Sequence, residues 1–289
     1  MLEKVYQCIF FGEDKFSLEV LRSVIDSEEY KFNIGLVVIL AKKGRVNTGL
    51  IAFCEQSSIR YRLVESMSDK YLIEELKQIE YDFLLSAHFS RLIPMKVVEG
   101  ARLAALNLHP SLLPKYRGMS PQHWPIIFGD SNTGVTVHYM DKDADTGKIV
   151  SQTLVPIDSN AYIYQLQLAF VPIYREIMIA SMKKVISGFK GEVQVSEGSS
   201  YYHMITEADM DLERQVSVID AYRRIRAFSF PYAGAFFRDY NIMEAHIINV
   251  DEIKELTKGG KDPHLEIVDG NMVLNYPDGS LCVTRWKKI

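Results

Sequence analysis

Asn107 and His109 stand two apart in the stretch NLHPSLLPKYRG (107–118), and Asp145 follows in the run DKDADTG. An amide, an imidazole and a carboxylate together supply what acyl transfer needs. The amide donates to a developing oxyanion, the imidazole takes a proton, and the carboxylate holds the imidazole in one tautomer. Singly, each residue has an ordinary reading. A lone His is commonly a satisfied structural residue, and Asp145 suits the turn that DADTG would make. No Ser or Cys occupies a strand–turn–helix nucleophile setting, so a covalent acyl-enzyme is not indicated. The attacking nucleophile is expected to come from the substrate. Cys8, Cys54 and Cys282 are widely separated and odd in number, which argues against disulfides and against a metal site.

The loop that carries the first two residues is stiff. Pro110 and Pro114 fix its backbone and Gly118 closes it, while a cis bond at Leu113–Pro114 is left open. The elements that must hold this loop read as alternating strands and helices. KVYQCIFFG (4–12), FNIGLVVIL (32–40), YDFLLSA (81–87) and AALNLH (104–109) are short apolar runs of the kind buried on both sheet faces. Between them, DKFSLEVLRSVIDS (14–27) and DKYLIEELKQI (69–79) carry apolar residues at helical spacing, the first with Asp14 as N-cap. This alternation predicts an α/β fold, Rossmann-like, with a mostly parallel sheet and helices on both faces. Ligands in such sheets bind beyond the carboxyl ends of the strands, where NLHPSLLP and SAHFSRLIP (86–94) begin.

Further on, GVTVHYMD (134–141) alternates like a strand, and GKIVSQTLVPI (147–157) reads as another. His138 on the first of these reads as structural. A helical pattern spans about 163–189 and should kink or break at Pro172. The polar stretch 191–204 reads as a linker. Behind it come the helix VSVIDAYRRIRAF (216–228) and short β-prone runs with turns at VDGN and YPDGS. The expected organisation is a catalytic domain over 1–203 and a small, β-rich C-terminal domain over 204–289.

Of the 289 residues 47% are hydrophobic and 24% charged, and the net charge is -4. These are the proportions of a soluble globular chain, with no bulk attraction to nucleic acid. No window approaches a membrane span, so a cytoplasmic protein is expected. The strand edges of the tail suggest a homodimer.

The span from Leu106 to Val150 resembles the folate-dependent formyltransferases, a family that includes the methionyl-tRNA, glycinamide ribonucleotide and sugar N-formyltransferases. The resemblance rests on NLHPSLLP, YRG, GVT and DTG at the family's spacing, with weaker likeness in FFGEDKFSLEVL and RIRAFSFPYAGAFF. It implies that Asn107, His109 and Asp145 are catalytic and that 10-formyltetrahydrofolate is the donor, with no metal. The folate would lie against Arg91, Leu92 and Ile93 and against the loop bearing Asp141 and Asp143. Arg117, Gln122, Trp124 and Tyr232 would serve the acceptor, with the Arg117 guanidinium suited to phosphate oxygens. Trp124 and Tyr232 also have plain packing readings, and Asp141 and Asp143 a plain turn reading.

Three acceptors compete. The glycinamide enzyme is usually a compact single domain, and this chain is longer. In the tRNA enzymes a basic insert and a basic C-terminal domain hold the nucleic acid. Here the insert position is only AKKGRVNTG (41–49), with Lys42, Lys43 and Arg45. Residues 205–289 carry 11 Lys plus Arg against 14 Asp plus Glu, a net of -3. Phosphate neutralisation supplies much of any nucleic-acid affinity, so this tail favours a dTDP- or UDP-linked amino-dideoxy sugar as acceptor, for surface glycans, over methionyl-tRNA. Two further readings remain on the same fold: a catalytically dead binding domain, and a hydrolase in which water replaces the amine.

Overall fold

The computed structural model describes residues 4–41, 47–248, 262–268 and 271–289. The basic residues Lys42, Lys43 and Arg45, and the centre of the VDGN turn, lie outside them. In chain order the first half contains β1 (Val5–Gly12), α1 (Lys15–Ile25), β2 (Lys31–Leu40), α2 (Thr48–Gln56), β3 (Tyr61–Val64), α3 (Lys70–Lys77), β4 (Tyr81–Ala87), α4 (Met95–Val98) and β5 (Ala101–His109). The middle holds the two-residue β6 (Arg117–Gly118), α5 (Trp124–Phe128), β7 (Asn132–Tyr139), β8 (Ile149–Pro156), α6 (Ile163–Ile186) and β9 (Tyr201–Tyr202). The rest comprises α7 (Glu207–Met210), α8 (Val218–Phe228), β10 (Ala235–Phe237), β11 (Tyr240–Ile248), β12 (His264–Val268), β13 (Asn271–Tyr276) and β14 (Gly279–Lys288).

Seven strands form one sheet in the order β3-β2-β1-β4-β5-β7-β8. β3, β2, β1, β4 and β5 pair in parallel, as the apolar runs of β1, β2, β4 and β5 predict; β3 carries no such run. All seven residues of β4 are buried, which requires cover on both faces. The chain builds outward from β1 to β3, then returns to β4 on the other side of β1. That reversal places a switch point at the carboxyl ends of β1 and β4, next to the end of β5. β7 breaks the parallel rule and runs antiparallel to β5, with Asn107 opposite His138 and His109 opposite Thr136.

Local signals explain the helix that follows β1. Asp14 Oδ1 accepts from the main-chain N–H groups of Phe16 and Ser17, both at 2.9 Å, and the Ser17 hydroxyl returns to Asp14. This capping box satisfies donors that α1 would otherwise leave open. Of the kink or break expected at Pro172, the break does not occur: α6 runs from Ile163 to Ile186 through it. Proline removes one helical hydrogen bond, but the helix is pinned by Phe170, Tyr174, Met178 and Met182, all fully buried. The Leu113–Pro114 bond is cis, as is Phe230–Pro231.

The chain divides into two compact units. One comprises 1–118, 134–155 and 169–201, and the other 119–133, 156–168 and 202–289. Two segments ahead of the expected boundary, 119–133 and 156–168, thus cluster with the C-terminal part. The second unit holds a five-stranded antiparallel sheet in the order β10-β11-β14-β13-β12, with α8 packed on β11. The YPDGS turn is present, since Tyr276 pairs with Gly279 across the hairpin, and Asp278 accepts from the Val218 N–H that opens α8.

Candidate active site

β5 ends with Asn107 and His109, β7 carries His138, and the loop after β7 brings Asp145 back over them. The loop has to turn sharply. Asp145 has φ 59°, a left-handed conformation that Asp tolerates better than most residues. Two positions later a Cβ on Gly147 would lie 1.8 Å from the Tyr139 carbonyl oxygen, so only glycine fits. Asp141 shapes the same loop by accepting from the Thr146 hydroxyl at 2.6 Å and from the Asp143 N–H at 3.2 Å. Gln194 ties it down: its Nε2 donates to the carbonyls of Asp145 at 2.9 Å and Gly147 at 2.7 Å.

Asp145 is the centre of the cluster. Its Oδ2 accepts from the Gly118 N–H at 2.9 Å. Its Oδ1 lies 3.3 Å from Asn107 Nδ2, 3.4 Å from His109 Nδ1 and 3.4 Å from His138 Nε2. Burial alone would raise its pKa. The interactions with His109 and His138 and the Gly118 N–H outweigh burial and hold this carboxyl far below the usual carboxylate range.

The two imidazoles can be assigned tautomers from their partners. His109 Nε2 is 2.8 Å from the Tyr116 carbonyl oxygen, which can only accept, so Nε2 carries the proton. His138 Nδ1 is 2.8 Å from the Tyr139 carbonyl oxygen, so there Nδ1 carries it. Burial pushes the His109 pKa below 6.5 against the pull of Asp145, so its resting form is neutral. Three acceptor atoms therefore converge: Asp145 Oδ1, His109 Nδ1 and His138 Nε2. Only the Asn107 amide donates among them. The cluster has room for one more proton, between His109 Nδ1 and the carboxylate.

Asn107 Nδ2 is 3.1 Å from His138 Nε2 and 3.3 Å from Asp145 Oδ1, and those two acceptors are 3.4 Å apart. The three distances enclose an angle of roughly 60° at Nδ2, about half of the ~120° between the two hydrogens of a planar amide. Both acceptors therefore sit in one sector of the nitrogen, close enough together for a single hydrogen to serve both. With one hydrogen so shared the second N–H is available to a ligand, and the half-buried side chain can reach one.

Asn107, His109 and Asp145 thus lie together. Arg117 is linked to the same loop, since its Nε and Nη2 donate to Gln194 Oε1 at 3.1 and 2.7 Å. Its anchor is a neutral amide, and no carboxylate among the described residues pairs with it. At the end of β4, Arg91 is exposed and Leu92 is 72% exposed, while Ile93 packs into the core. Asp141 and Asp143 are exposed on their loop. Gln122, Trp124 and Tyr232 belong to the second unit. Gln122 and Trp124 are buried: Gln122 accepts from Gln167 at 3.0 Å, and Trp124 donates to the Met119 carbonyl and stacks on Tyr202. Tyr232 is 40% exposed and also accepts from Gln167. Among the described residues no His, Cys, Asp or Glu group is arranged for a metal ion, and no helix is long and apolar enough to cross a membrane.

Two residues of the cluster escape a sequence reading. His138 was reachable, because alternation along β7 puts Thr136 and His138 on one face. Gln194 gives no local signal; it sits in the stretch that reads as a linker, yet Glu192 and Gln194 both bind back to the sheet and its loop.

The pattern of the Formyl transferase family matches residues 30–179. A methionyl-tRNA formyltransferase of Thermotoga maritima is 28% identical over 251 residues, covering 84% of this chain and 79% of that protein. Two solved structures share the fold over nearly the whole length. One is WlaRD, a sugar 3N-formyltransferase solved with dTDP and 5-N-formyl-THF, at a TM-score of 0.70 and 21% identity, covering 96% of this chain and 97% of that one. The other is an N-formyltransferase from Helicobacter canadensis in complex with folinic acid and dTDP-3-aminofucose, at a TM-score of 0.70 and 18% identity, covering 98% and 100%.

Proposed function

The chain belongs to the formyl transferase family, and from that premise we propose that it moves a formyl group from 10-formyltetrahydrofolate to the amine of a dTDP- or UDP-linked amino-dideoxy sugar. The observation that carries the chemistry is the Asn107–His109–Asp145 cluster, one proton short and with both acceptors of the Asn107 amide crowded to one side. The donor supplies an activated formyl carbon. Leu92, an apolar side chain left open at the end of β4, is suited to covering a ring, with Arg91 and Ile93 beside it in sequence and Asp141 and Asp143 shaping the facing loop. The formyl oxygen, as it gains charge, would receive the free N–H of Asn107. In acyl-transfer enzymes such a contact contributes roughly 3–4 kcal/mol. His109 takes the proton lost by the attacking amine at Nδ1, and Asp145 stabilises the imidazolium that results; as the bond from the formyl carbon to N10 breaks, that proton passes to N10 and tetrahydrofolate leaves.

The acceptor is argued from charge and fold. Residues 205–289 carry a net of -3, counted from 11 basic and 14 acidic side chains, which suits a small anionic substrate better than a tRNA. The sugar enzymes named above match over nearly the whole chain. Arg117, a cation held by a neutral amide, fits the pyrophosphate. Gln122, Trp124 and Tyr232 are proposed for the acceptor region, the first two by packing rather than by direct contact. The second reading, formylation of methionyl-tRNA, is favoured by the Thermotoga maritima relative. A spectrophotometric assay decides: 10-formyltetrahydrofolate is offered with dTDP- and UDP-linked 3-amino and 4-amino sugars, and in parallel with methionyl-tRNA. Turnover on one sugar and none on tRNA is the expected result. Turnover on tRNA alone would establish the second reading, and release of formate without acceptor a hydrolase.

A further inference from the structure

We infer that His138 is a positioning residue of the reaction: it aims the amide of Asn107 and so fixes where the formyl oxygen is held. The inference rests on the proposal that Asn107 donates to that oxygen. His138 is 2% exposed, behind the half-buried Asn107, and touches the site only through its neighbours. The backbone sets the pair, because the two residues stand opposite each other where β5 and β7 join.

The side chains then leave one arrangement. The Tyr139 carbonyl oxygen fixes the proton of His138 on Nδ1, so Nε2 presents a lone pair to Asn107 Nδ2 at 3.1 Å. Rotating the amide by half a turn would set its oxygen against that lone pair and against Asp145 Oδ1. Both contacts would be repulsive. Nε2 and Oδ1 therefore select the N–H side of the amide, and, crowded into one sector of Nδ2, they leave its other side open to a ligand. Without His138, Asn107 keeps only the 3.3 Å contact with Asp145. That single acceptor cannot define the rotation of the amide, and the carboxylate is also the group that must answer the proton arriving on His109.

The test is a double-mutant cycle in steady-state formyl transfer, with whichever acceptor the enzyme turns over. His138→Leu is expected to lower kcat about 10- to 100-fold and to leave the KM for 10-formyltetrahydrofolate unchanged. In the Asn107→Ala background the same substitution should cost nothing further. His138→Gln, whose side-chain oxygen can accept near the place of Nε2, should recover part of the loss. Equal losses in both backgrounds would overturn the inference and leave His138 a packing residue. A second measurement needs neither substrate nor variant. Nitrogen-15 NMR of the unliganded protein should find His138 protonated at Nδ1 and bare at Nε2. A proton on Nε2 would sink the inference whatever the acceptor proves to be, because the Asn107 amide could not then donate to it.

Discussion

Gln194 holds Asp145 by its backbone: the Gln194 Nε2 donates to the Asp145 carbonyl at 2.9 Å, while its Oε1 accepts from Arg117. One neutral side chain thus sets both the loop that carries the carboxylate and the guanidinium proposed for the acceptor. Gln194→Ala should release both. A displacement of about 1 Å in a reacting group costs on the order of 100-fold, so kcat/KM should fall by about that factor, with a rise in acceptor KM. Gln194→Glu should behave no better, since its carboxylate neutralises Arg117 and loses the donor to two carbonyls. The check is steady-state kinetics beside a thermal melt. Full activity in Gln194→Ala would make the contact incidental.

Asn107→Ala removes the spare N–H and leaves the imidazoles and carboxylate in place. The expected loss is roughly 10²- to 10³-fold in kcat, the range seen for a missing oxyanion donor, with little change in either KM. Asn107→Asp is informative because it keeps the shape. It places a second carboxylate 3.3 Å from Asp145 Oδ1, and like charges that close cannot both ionise. Its activity should be at or below that of the alanine variant. A kcat within threefold of wild type for either variant would remove Asn107 from the chemistry.

How much of this was legible in the sequence depends on range. The strands β1, β2, β4 and β5 announce themselves because burial on both faces demands unbroken apolar runs. Asp14 announces α1 because a cap is a local hydrogen bond. The trio was reached from residue types suited to acyl transfer and from the resemblance of the NLHPSLLP and DTG segments to the formyltransferases. Hidden were contacts that depend on pairing across the sheet or on distant chain. His138 reads as an ordinary strand residue until β7 is known to lie beside β5. Gln194 looks like linker because its partners, Asp145, Gly147 and Arg117, lie far back in the sequence. At Pro172 the local penalty does not end the element, and α6 continues through it beside fully buried neighbours.

Burial lowers the His109 pKa from 6.5, and its neutral form is the one that can take a proton. The acid limb of kcat/KM should therefore lie below pH 6.5, with activity lost as pH falls through it. Asp145→Asn removes the charge that favours the imidazolium, so the limb should move lower still while kcat drops. A pH–rate profile of wild type and variant tests both. A limb above pH 6.5 would mean that the base is another group, or that Asp145 dominates over burial.

Acid should destabilise the fold in a defined order. His109 has its pKa lowered by burial, against the opposing pull of Asp145. The folded state therefore disfavours its protonation, and stability declines once pH falls below about 6.5. Asp14 and Asp145 are also depressed: burial raises both, but His88 and the helix N–H groups for Asp14, and the contacts described above for Asp145, outweigh it. Their contribution is complete above the unfolded value of about 4 and is lost as pH falls toward their folded values. Removing the cap in Asp14→Ala should cost about 1 kcal/mol near neutrality. Urea unfolding at pH 7, 5 and 3 should show that difference shrinking below about pH 4. A difference independent of pH would separate the cap from the charge of Asp14.

Gly147→Ala tests whether the loop's path is obligatory. A methyl group there would sit 1.8 Å from the Tyr139 carbonyl oxygen, a main-chain atom that cannot swing aside. That same Tyr139 carbonyl accepts from His138 Nδ1. Relief must come from moving the loop, which drags Asp145 away from Gly118 and the imidazoles, or from moving the carbonyl, which frees the His138 proton and with it the aim of Asn107. Either route damages the site, so activity should fall at least 100-fold even where the protein still folds. A melt with far-ultraviolet circular dichroism establishes folding, and nitrogen-15 NMR of the histidines tells the routes apart. A lost His138 tautomer preference points to the carbonyl, and an unchanged His138 beside an altered His109 points to the loop. Retention of wild-type kcat would show that the loop can reach the same chemistry by another path.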